Sequence, residues 1–359
     1  MHSSHRPAAA RAAPWVLLVV GLALELATPE AVRATPLFAL AAVIAGALLS
    51  LRQTLAVGAT AFALEVFITA VLGTQHQIHE YIDALNIVFA CLTGVVVNRM
   101  LLRYDRARDT AEAAQRAVLP DPPGRLGDIE LAAEYRAALH GTRVGGDFYA
   151  AQAGPYGVRV VIGDIRGKGL GAIGLVSVQL GAFREWADDV PDLAALADRM
   201  ERATLREAQR RGDADAYEGF ATALLAQIPP GAREVRLLSR GHPAPYLFPP
   251  GAPPRELPCA QSGLPLGLGP LAPGAESETA ESVHALPPGA LLLFVTDGVT
   301  EARDASGTFF DPATAMPAAT YSGPAALLDA VDDAVRTWSD GARDDDMALL
   351  ALAPTTSHD

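Results

Sequence analysis

The sequence has very little cysteine and few charged side chains. Its two cysteines, Cys91 and Cys259, lie in unrelated contexts, which excludes a disulfide scaffold and a cysteine zinc cluster. Charged residues make up 19% of the 359 residues and half of the chain is hydrophobic, so the chain as a whole is not disordered. The net charge of −13 argues against a nucleic-acid partner. At ~100–200 residues per domain, two or three domains are expected.

Long apolar runs fill the first third of the chain. A span needs ~20 apolar residues to cross ~30 Å of hydrocarbon. For the first and shortest run a signal peptide is the alternative, because Arg6 and Arg11 precede it. The sequence thus predicts an all-α transmembrane domain over residues 1–98, embedded in the lipid bilayer of the cell membrane. The predicted spans, about four in number, are residues 12–28, 35–51, 54–73 and 81–102.

Arginine placement predicts how these spans are oriented. The loop at residues 74–80 has no Lys or Arg, whereas Arg99, Arg103, Arg106 and Arg108 follow the fourth run. Because positive loops stay inside, we expect everything after residue 102 to be cytoplasmic.

Residues 99–120 are predicted to form a linker helix, since no Gly or Pro interrupts them before Pro120. A heptad seam runs along it and favours a homodimer through residues 100–118 that carries a membrane signal. A solvated spacer is the alternative. The seam consists of Met100, Tyr104, Ala107, Ala111, Ala114 and Val118.

The remaining chain reads as mixed α and β, with helices at about 169–187 and 191–211. Aspartates stand beside its apolar strands: Asp164 ends the run 158–162, Asp297 follows the run 291–295, and Asp345 and Asp346 precede the run 347–352. Asp147 lies on a strand predicted at 143–149, paired with 158–164. A single such aspartate would be a turn or cap residue. Several converging carboxylates repel unless cations lie between them, and oxygen ligands suit Mg²⁺ and Mn²⁺.

Five motifs in this order resemble the metal-dependent Ser/Thr protein phosphatases of type 2C, in their bacterial SpoIIE-like branch. The resemblance covers residues 118–352. The motifs are Val144-Gly145-Gly146-Asp147-Phe148-Tyr149, Ile162-Gly163-Asp164-Ile165-Arg166-Gly167-Lys168-Gly169-Leu170, Gly241-His242-Pro243, Thr296-Asp297-Gly298-Val299-Thr300-Glu301-Ala302 and Asp345-Asp346-Met347-Ala348.

The resemblance implies an α+β domain over residues 121–354, followed by a tail at 355–359. Its fold would be an αββα sandwich, two stacked β-sheets flanked by helices. Its activity would be hydrolysis of phosphoserine or phosphothreonine by a water activated by two Mn²⁺ or Mg²⁺ ions. The usual substrates in this branch are phosphorylated anti-sigma-factor antagonists of the STAS fold.

The resemblance also assigns roles to single residues. Asp164 would bridge the two ions, with the Ile165 carbonyl, Asp297 and Asp345 as further ligands and Asp346 as the alternate to Asp345. Asp147 would bind directly or through water. Through the activated water, Asp164, Asp297 and Asp345 would be catalytic. Arg143 and Arg166 are candidates for gripping phosphate, because guanidinium matches phosphate geometry, although solvated or ion-paired arginine is equally compatible. His242 is interpreted as a structural histidine.

The chain differs from the family motifs at two positions, and two other functions are alternatives. Ala150 replaces a second Asp of many relatives, and Arg166 stands where relatives outside the branch carry a proposed proton-donating His. A catalytically inactive membrane receptor of the same fold is one rival. A nucleotide-binding protein is the other, because residues 169–174 fit G-x-G-x-x-G. It fails its context test, since no strand ending in an acidic residue follows ~20 residues later.

The predicted topology is tested with reporter fusions after residues 75 and 110. The arginine pattern places the first outside the cell and the second inside. An inside signal at residue 75 would contradict the four-span arrangement.

Overall fold

The computed structural model describes residues 8–27, 34–72, 77–119, 122–136, 145–167, 169–211, 219–231, 233–271, 280–341 and 345–355. The chain divides into two compact units, Met1–Ala107 and Arg108–Asp359.

The first unit is helical, as its long apolar runs predict. Its helices are α1 (Ala8–Ala27), α2 (Thr35–Leu48), α3 (Leu51–Leu72) and α4 (Gln77–Val118). Among the described residues, three of these helices are long and apolar enough to cross a membrane, within α1, α3 and α4. The second predicted span differs: α2 has only 14 residues, because the chain breaks at Leu49 and α3 starts at Leu51.

Helix α4 combines the fourth predicted span and the predicted linker in one element of 42 residues. It ends at Val118, directly before Leu119 and the proline-rich segment. Along the predicted heptad seam, Met100 and Tyr104 are exposed. The side chains of Ala107, Ala111 and Ala114 lie outside the described residues, so the homodimer stays a prediction.

Two buried polar side chains of the helical unit form hydrogen bonds that reach a neighbouring helix. The buried carboxylate of Glu65 accepts a hydrogen bond from the Thr35 hydroxyl at 3.3 Å. The Asn98 amide donates to the carbonyls of Gly46 and Leu49 at the end of α2. These contacts tie α2 to α3 and α4.

The second unit contains two antiparallel sheets. Sheet A has the strand order β1-β2-β11-β10-β7-β8, and sheet B has the order β3-β4-β5-β6-β9. The strands are β1 (Arg125–Leu126), β2 (Ile129–Arg136), β3 (Phe148–Gly154), β4 (Gly157–Ile165), β5 (Ala221–Ile228), β6 (Glu234–Arg240), β7 (Tyr246–Phe248), β8 (Arg255–Glu256), β9 (Ser282–Ala285), β10 (Leu291–Val295) and β11 (Met347–Pro354). The helices are α5 (Leu170–Trp186), α6 (Leu193–Arg211), α7 (Asp297–Thr300), α8 (Pro312–Ala315) and α9 (Pro324–Trp338).

The central strands are mostly apolar on both faces, because both faces are buried, although β4 also carries the buried Arg159. On β4, Val160 and Ile162 face the other sheet, whereas Val161 packs with α5 and α6. On β10, Phe294 lies between the sheets and Leu293 packs against α9. Side chains of a strand alternate between its faces, so one continuous apolar run supplies two cores. The layers are α5 and α6, sheet B, sheet A, then α9, which confirms the predicted αββα sandwich.

The hairpin predicted from the Gly-rich turn is present, but its first strand begins later in the chain than expected. Strand β3 pairs with β4, with Phe148 opposite Gly163, yet it begins at Phe148. Gly145 to Asp147 precede it without regular structure, because the chain there turns over the end of β4. The first part of the predicted strand, residues 143–144, lies outside the described residues. All the ladders between described strands are antiparallel, which is incompatible with a dinucleotide-binding βαβ unit.

Candidate metal centre

The antiparallel order of the strands brings the predicted aspartates to one end of the sandwich. Asp164 is near the end of β4, and the start of β3, next to Asp147, pairs with that end. Asp297 begins α7 after β10, and the start of β11, next to Asp345 and Asp346, lies beside the end of β10. Each sheet therefore contributes carboxylates to the same edge.

Three of these carboxylates form a compact cluster. One oxygen each from Asp147, Asp164 and Asp297 lies within 4.8 Å of the other two. They line a cleft of about 380 Å³, together with Ile165 and the terminal pair of aspartates. All of these donors are oxygens, the ligand type that Mg²⁺ and Mn²⁺ prefer.

Gly146 allows the two parts of the cluster to approach each other. A Cβ atom at this position would overlap the Ile165 carbonyl oxygen and the Asp164 carboxylate. The Gly146 carbonyl also accepts a hydrogen bond from the Ile165 N–H at 3.1 Å. Glycine is therefore required at position 146, because any larger residue would overlap these groups.

Thr296 holds Asp147 from the opposite sheet. Its hydroxyl donates to the Asp147 carboxylate at 2.7 Å and accepts the Ala348 N–H at 2.8 Å. Since Thr296 directly precedes Asp297, one short segment orients one carboxylate and supplies another. Thr296 was not predicted as a site residue, although it lies in the Thr-Asp-Gly motif.

The clustered carboxylates repel one another and are partly removed from water. Burial, followed by the charge of Asp297, raises the pKa of Asp164 to about 7. Burial, followed by the charge of Asp164, raises the pKa of Asp147 well above its usual range, despite the hydrogen bond from Thr296. The cleft thus carries excess negative charge, and bound cations would reduce the repulsion between its carboxylates.

The two terminal aspartates differ in their surroundings. Asp346 is buried, and its carboxylate lies against Gly145, which the Tyr135 hydroxyl also approaches. Asp345 is exposed, and its carboxylate accepts the Asp346 N–H at 2.9 Å. Both line the cleft. The charge of Asp345 acts on Asp164, whereas that of Asp346 acts on both Asp164 and Asp147.

Among the described residues that line the cleft, Arg166 is the one with a positively charged side chain. Its guanidinium lies 5.3 Å from the centre of the Phe220 ring, and its backbone N–H donates to the Phe220 carbonyl. The side chain is exposed, so a bound anion could reach it. Arg143, the other predicted phosphate-binding residue, lies outside the described residues.

His242 is buried and both of its ring nitrogens have partners. Nδ1 lies 2.9 Å from the Thr222 hydroxyl and Nε2 lies 3.1 Å from the Val295 carbonyl oxygen. Burial lowers the pKa of His242 to about 4. This agrees with a structural histidine. Its partner Thr222 lines the cleft but was not predicted as a site residue, because Thr222 lies in an ordinary apolar strand.

The fold is that of the PP2C-type Ser/Thr phosphatases. The SiaA PP2C domain of Pseudomonas aeruginosa superposes with a TM-score of 0.53 at 17% identity, covering 71% of this chain and 98% of that one. The structure of the RsbU and RsbW domains of a Mycobacterium tuberculosis protein gives a TM-score of 0.50 at 23% identity, covering 66% of this chain and 63% of that one.

The sequence comparison identifies the family within this class. The family described as Stage II sporulation protein E (SpoIIE) matches residues 154–354, more than half of the chain. The chain therefore belongs to the SpoIIE family, as the motifs indicated. The matched range contains Asp164, Asp297 and both terminal aspartates, and Asp147 lies just before it.

The space requirement at Gly146 is tested by Gly146→Ala, with Gly181→Ala as the matched control. The added Cβ at 146 must displace the Ile165 carbonyl or the Asp164 carboxylate, at a cost of about 1–3 kcal/mol. Gly181 lies on the open face of α5, where alanine should be neutral or slightly stabilising. Thermal unfolding and Mn²⁺ binding measure both effects. Unchanged Mn²⁺ binding by Gly146→Ala would contradict the close approach.

Proposed function

We propose that this chain is a membrane-bound, Mg²⁺- or Mn²⁺-dependent protein-serine/threonine phosphatase. The observation that carries the proposal is the convergence of Asp147, Asp164 and Asp297 in a cleft of a SpoIIE-family domain. The aspartates expected at the matched metal positions are all present, which favours an active enzyme over an inactive receptor of the same fold.

The donor set fits two hard cations. Asp164, with the Ile165 carbonyl, would hold ions from sheet B, while Asp297 and Asp345 would hold them from sheet A. Asp147 would bind directly or through water, since Thr296 already occupies one of its oxygens. Such ions, when bound, polarise phosphoryl oxygens and lower the pKa of water.

The chain's own residues position the substrate around this centre. The exposed Arg166 guanidinium would bind the phosphate oxygens of a phosphoserine or phosphothreonine residue. Phe220 supports that guanidinium from one side through its ring. The hydroxyl of Thr296 keeps Asp147 facing the cluster, so that the carboxylates stay oriented as substrate enters.

The remaining parts of the proposal concern partners and location. The substrate would be a phosphorylated anti-sigma-factor antagonist of the STAS fold. This is supported by the resemblance and by a structural relative that contains RsbU and RsbW domains. Helices α1 to α4 would anchor the enzyme in the cell membrane as a multi-pass protein, with the phosphatase domain cytoplasmic. A homodimer through residues 100–118 would carry the signal.

The proposal is tested most simply by Asp164→Asn. This change keeps the shape of the side chain but removes the charge that two ions would share. If two-metal activation supplies several kcal/mol, the rate of Mn²⁺-dependent hydrolysis of a phosphoserine protein should fall by roughly 10³-fold. The metal-free fold should survive, because a source of repulsion is removed.

Asp333→Asn is the control, since Asp333 is an exposed residue of α9 paired only with Arg336 among the described residues. It should retain wild-type activity. A folded Asp164→Asn protein with a near-wild-type rate would refute the proposed mechanism.

Phosphate binding by Arg166 is tested by Arg166→Gln and Arg166→Lys. A charge-assisted hydrogen bond of about 1.5–3 kcal/mol corresponds to a loss of roughly 10- to 150-fold in kcat/KM for Arg166→Gln. Lysine should restore part of it, because it keeps the charge without the planar fork. Arg199→Gln is the control, since Arg199 also stacks on a ring, that of Trp186 on α5. Equal kcat/KM in Arg166→Gln and the wild type would exclude the role.

A further inference from the structure

The Gly-His-Pro motif places a buried imidazole between the two sheets, at the end where the aspartates converge. His242 follows β6, and only 6% of it is exposed. The Ser239 hydroxyl fixes its backbone, because it lies 3.2 Å from the His242 N–H nitrogen and 3.0 Å from the His242 carbonyl oxygen. The ring is therefore held in place by its own loop.

The hydrogen-bond partners determine which ring nitrogen carries the proton. The Val295 carbonyl can only accept, so Nε2 of His242 donates to it. In the neutral ring, Nδ1 then accepts from the Thr222 hydroxyl. The single proton of the Thr222 hydroxyl is then used in the bond to Nδ1. The hydroxyl oxygen can therefore only accept, and it accepts a hydrogen bond from the Asp164 backbone N–H at 3.3 Å.

This chain of bonds crosses from one sheet to the other. Thr222 lies on β5 of sheet B, directly opposite Asp164 in the ladder. Val295 is the last residue of β10 in sheet A, two residues before Asp297. His242 thus joins the backbone beside Asp164 to the backbone beside Asp297, and these are the two carboxylates whose mutual repulsion would push the sheet ends apart.

We propose that His242 is a positioning residue that sets the separation of Asp164 and Asp297 for metal binding. The inference rests on the proposed metal centre and adds to it a residue that touches neither ion nor substrate. It explains why a buried histidine stands in a motif that contributes no carboxylate to the cleft. The same segment is tied a second time by Thr296 and Asp147, so both residues directly before Asp297 form a bond to the other sheet.

Two substitutions of His242 distinguish the hydrogen bond made by Nε2 from the one made by Nδ1. His242→Gln can place an amide nitrogen near the position of Nε2 and keep the donor to Val295. His242→Asn reaches only the position of Nδ1 and loses the link between the sheets. We expect Mn²⁺ to bind at least tenfold more weakly to His242→Asn than to the wild type, with His242→Gln between them.

The measurement is calorimetric titration of the metal-free, detergent-solubilised full chain with Mn²⁺, beside its thermal unfolding without metal. His284→Asn is the matched control, because His284, on β9, forms a similar bond from Nε2 to the Pro258 carbonyl, and neither residue lines the cleft. It should bind Mn²⁺ as the wild type does. Wild-type affinity in a folded His242→Asn protein would overturn the positioning role, even if its unfolding temperature fell.

Should His242→Asn fail to fold, Thr222→Val provides the second test. It removes the hydroxyl between Asp164 and His242 but keeps the bond to Val295, and it should also weaken Mn²⁺ binding. Unchanged affinity in Thr222→Val would overturn the inference. Failure of the wild type itself to bind Mn²⁺ would refute the proposed function and the inference with it.

Discussion

Mutual repulsion among three carboxylates is the constraint on which this end of the molecule depends. Asp147, Asp164 and Asp297 lie in or next to different strands of two sheets, yet one oxygen of each lies within 4.8 Å of the other two. Without cations this arrangement is unfavourable, as the raised pKa values of Asp147 and Asp164 indicate. The fold must therefore hold the carboxylates together by other contacts.

The sandwich meets this constraint with buried apolar layers and a few polar links. The two sheets are joined along their length by side chains such as Ile162 and Phe294. At the polar end, where no apolar core can extend, hydrogen bonds from Thr296 and His242 cross between the sheets. Gly146 lets the backbone pass close to Asp164. Rigid strands thus aim charged groups at a cleft that is open to substrate.

The sequence predicted those parts of the structure that depend on local pattern. Strands β10 and β11 were recognisable because both of their faces are buried, which makes the runs continuously apolar. Strand β4 was recognisable from its β-branched residues, although Arg159 interrupts the apolar run. Strands β7 and β8 have only three and two residues, too few for any periodicity to show. The short length of α2 was also missed, because apolar residues continue across the break at Leu49.

Some residues of the candidate site could likewise be predicted from local sequence pattern, and others could not. Its aspartates were found because each stands beside an apolar strand and belongs to a motif. The contacts of Thr222 and Thr296 were not, since their partners are distant in the chain and known only once the sheets are stacked. His242 was predicted as a structural histidine, but its partners were not predicted. The sequence alone could not decide which of Asp345 and Asp346 is the ligand. The surroundings of two adjacent side chains differ only once the chain is folded.

The central claim is that the carboxylates of both sheets hold metal ions in one cleft. It is tested most directly by anomalous diffraction at the manganese edge from crystals of the chain grown with Mn²⁺. The account predicts two peaks in the cleft, ~3.5–4 Å apart, with the Asp164 carboxylate between them and Asp297 beside them. A cleft without anomalous density at saturating Mn²⁺, or ions bound only elsewhere, would contradict it.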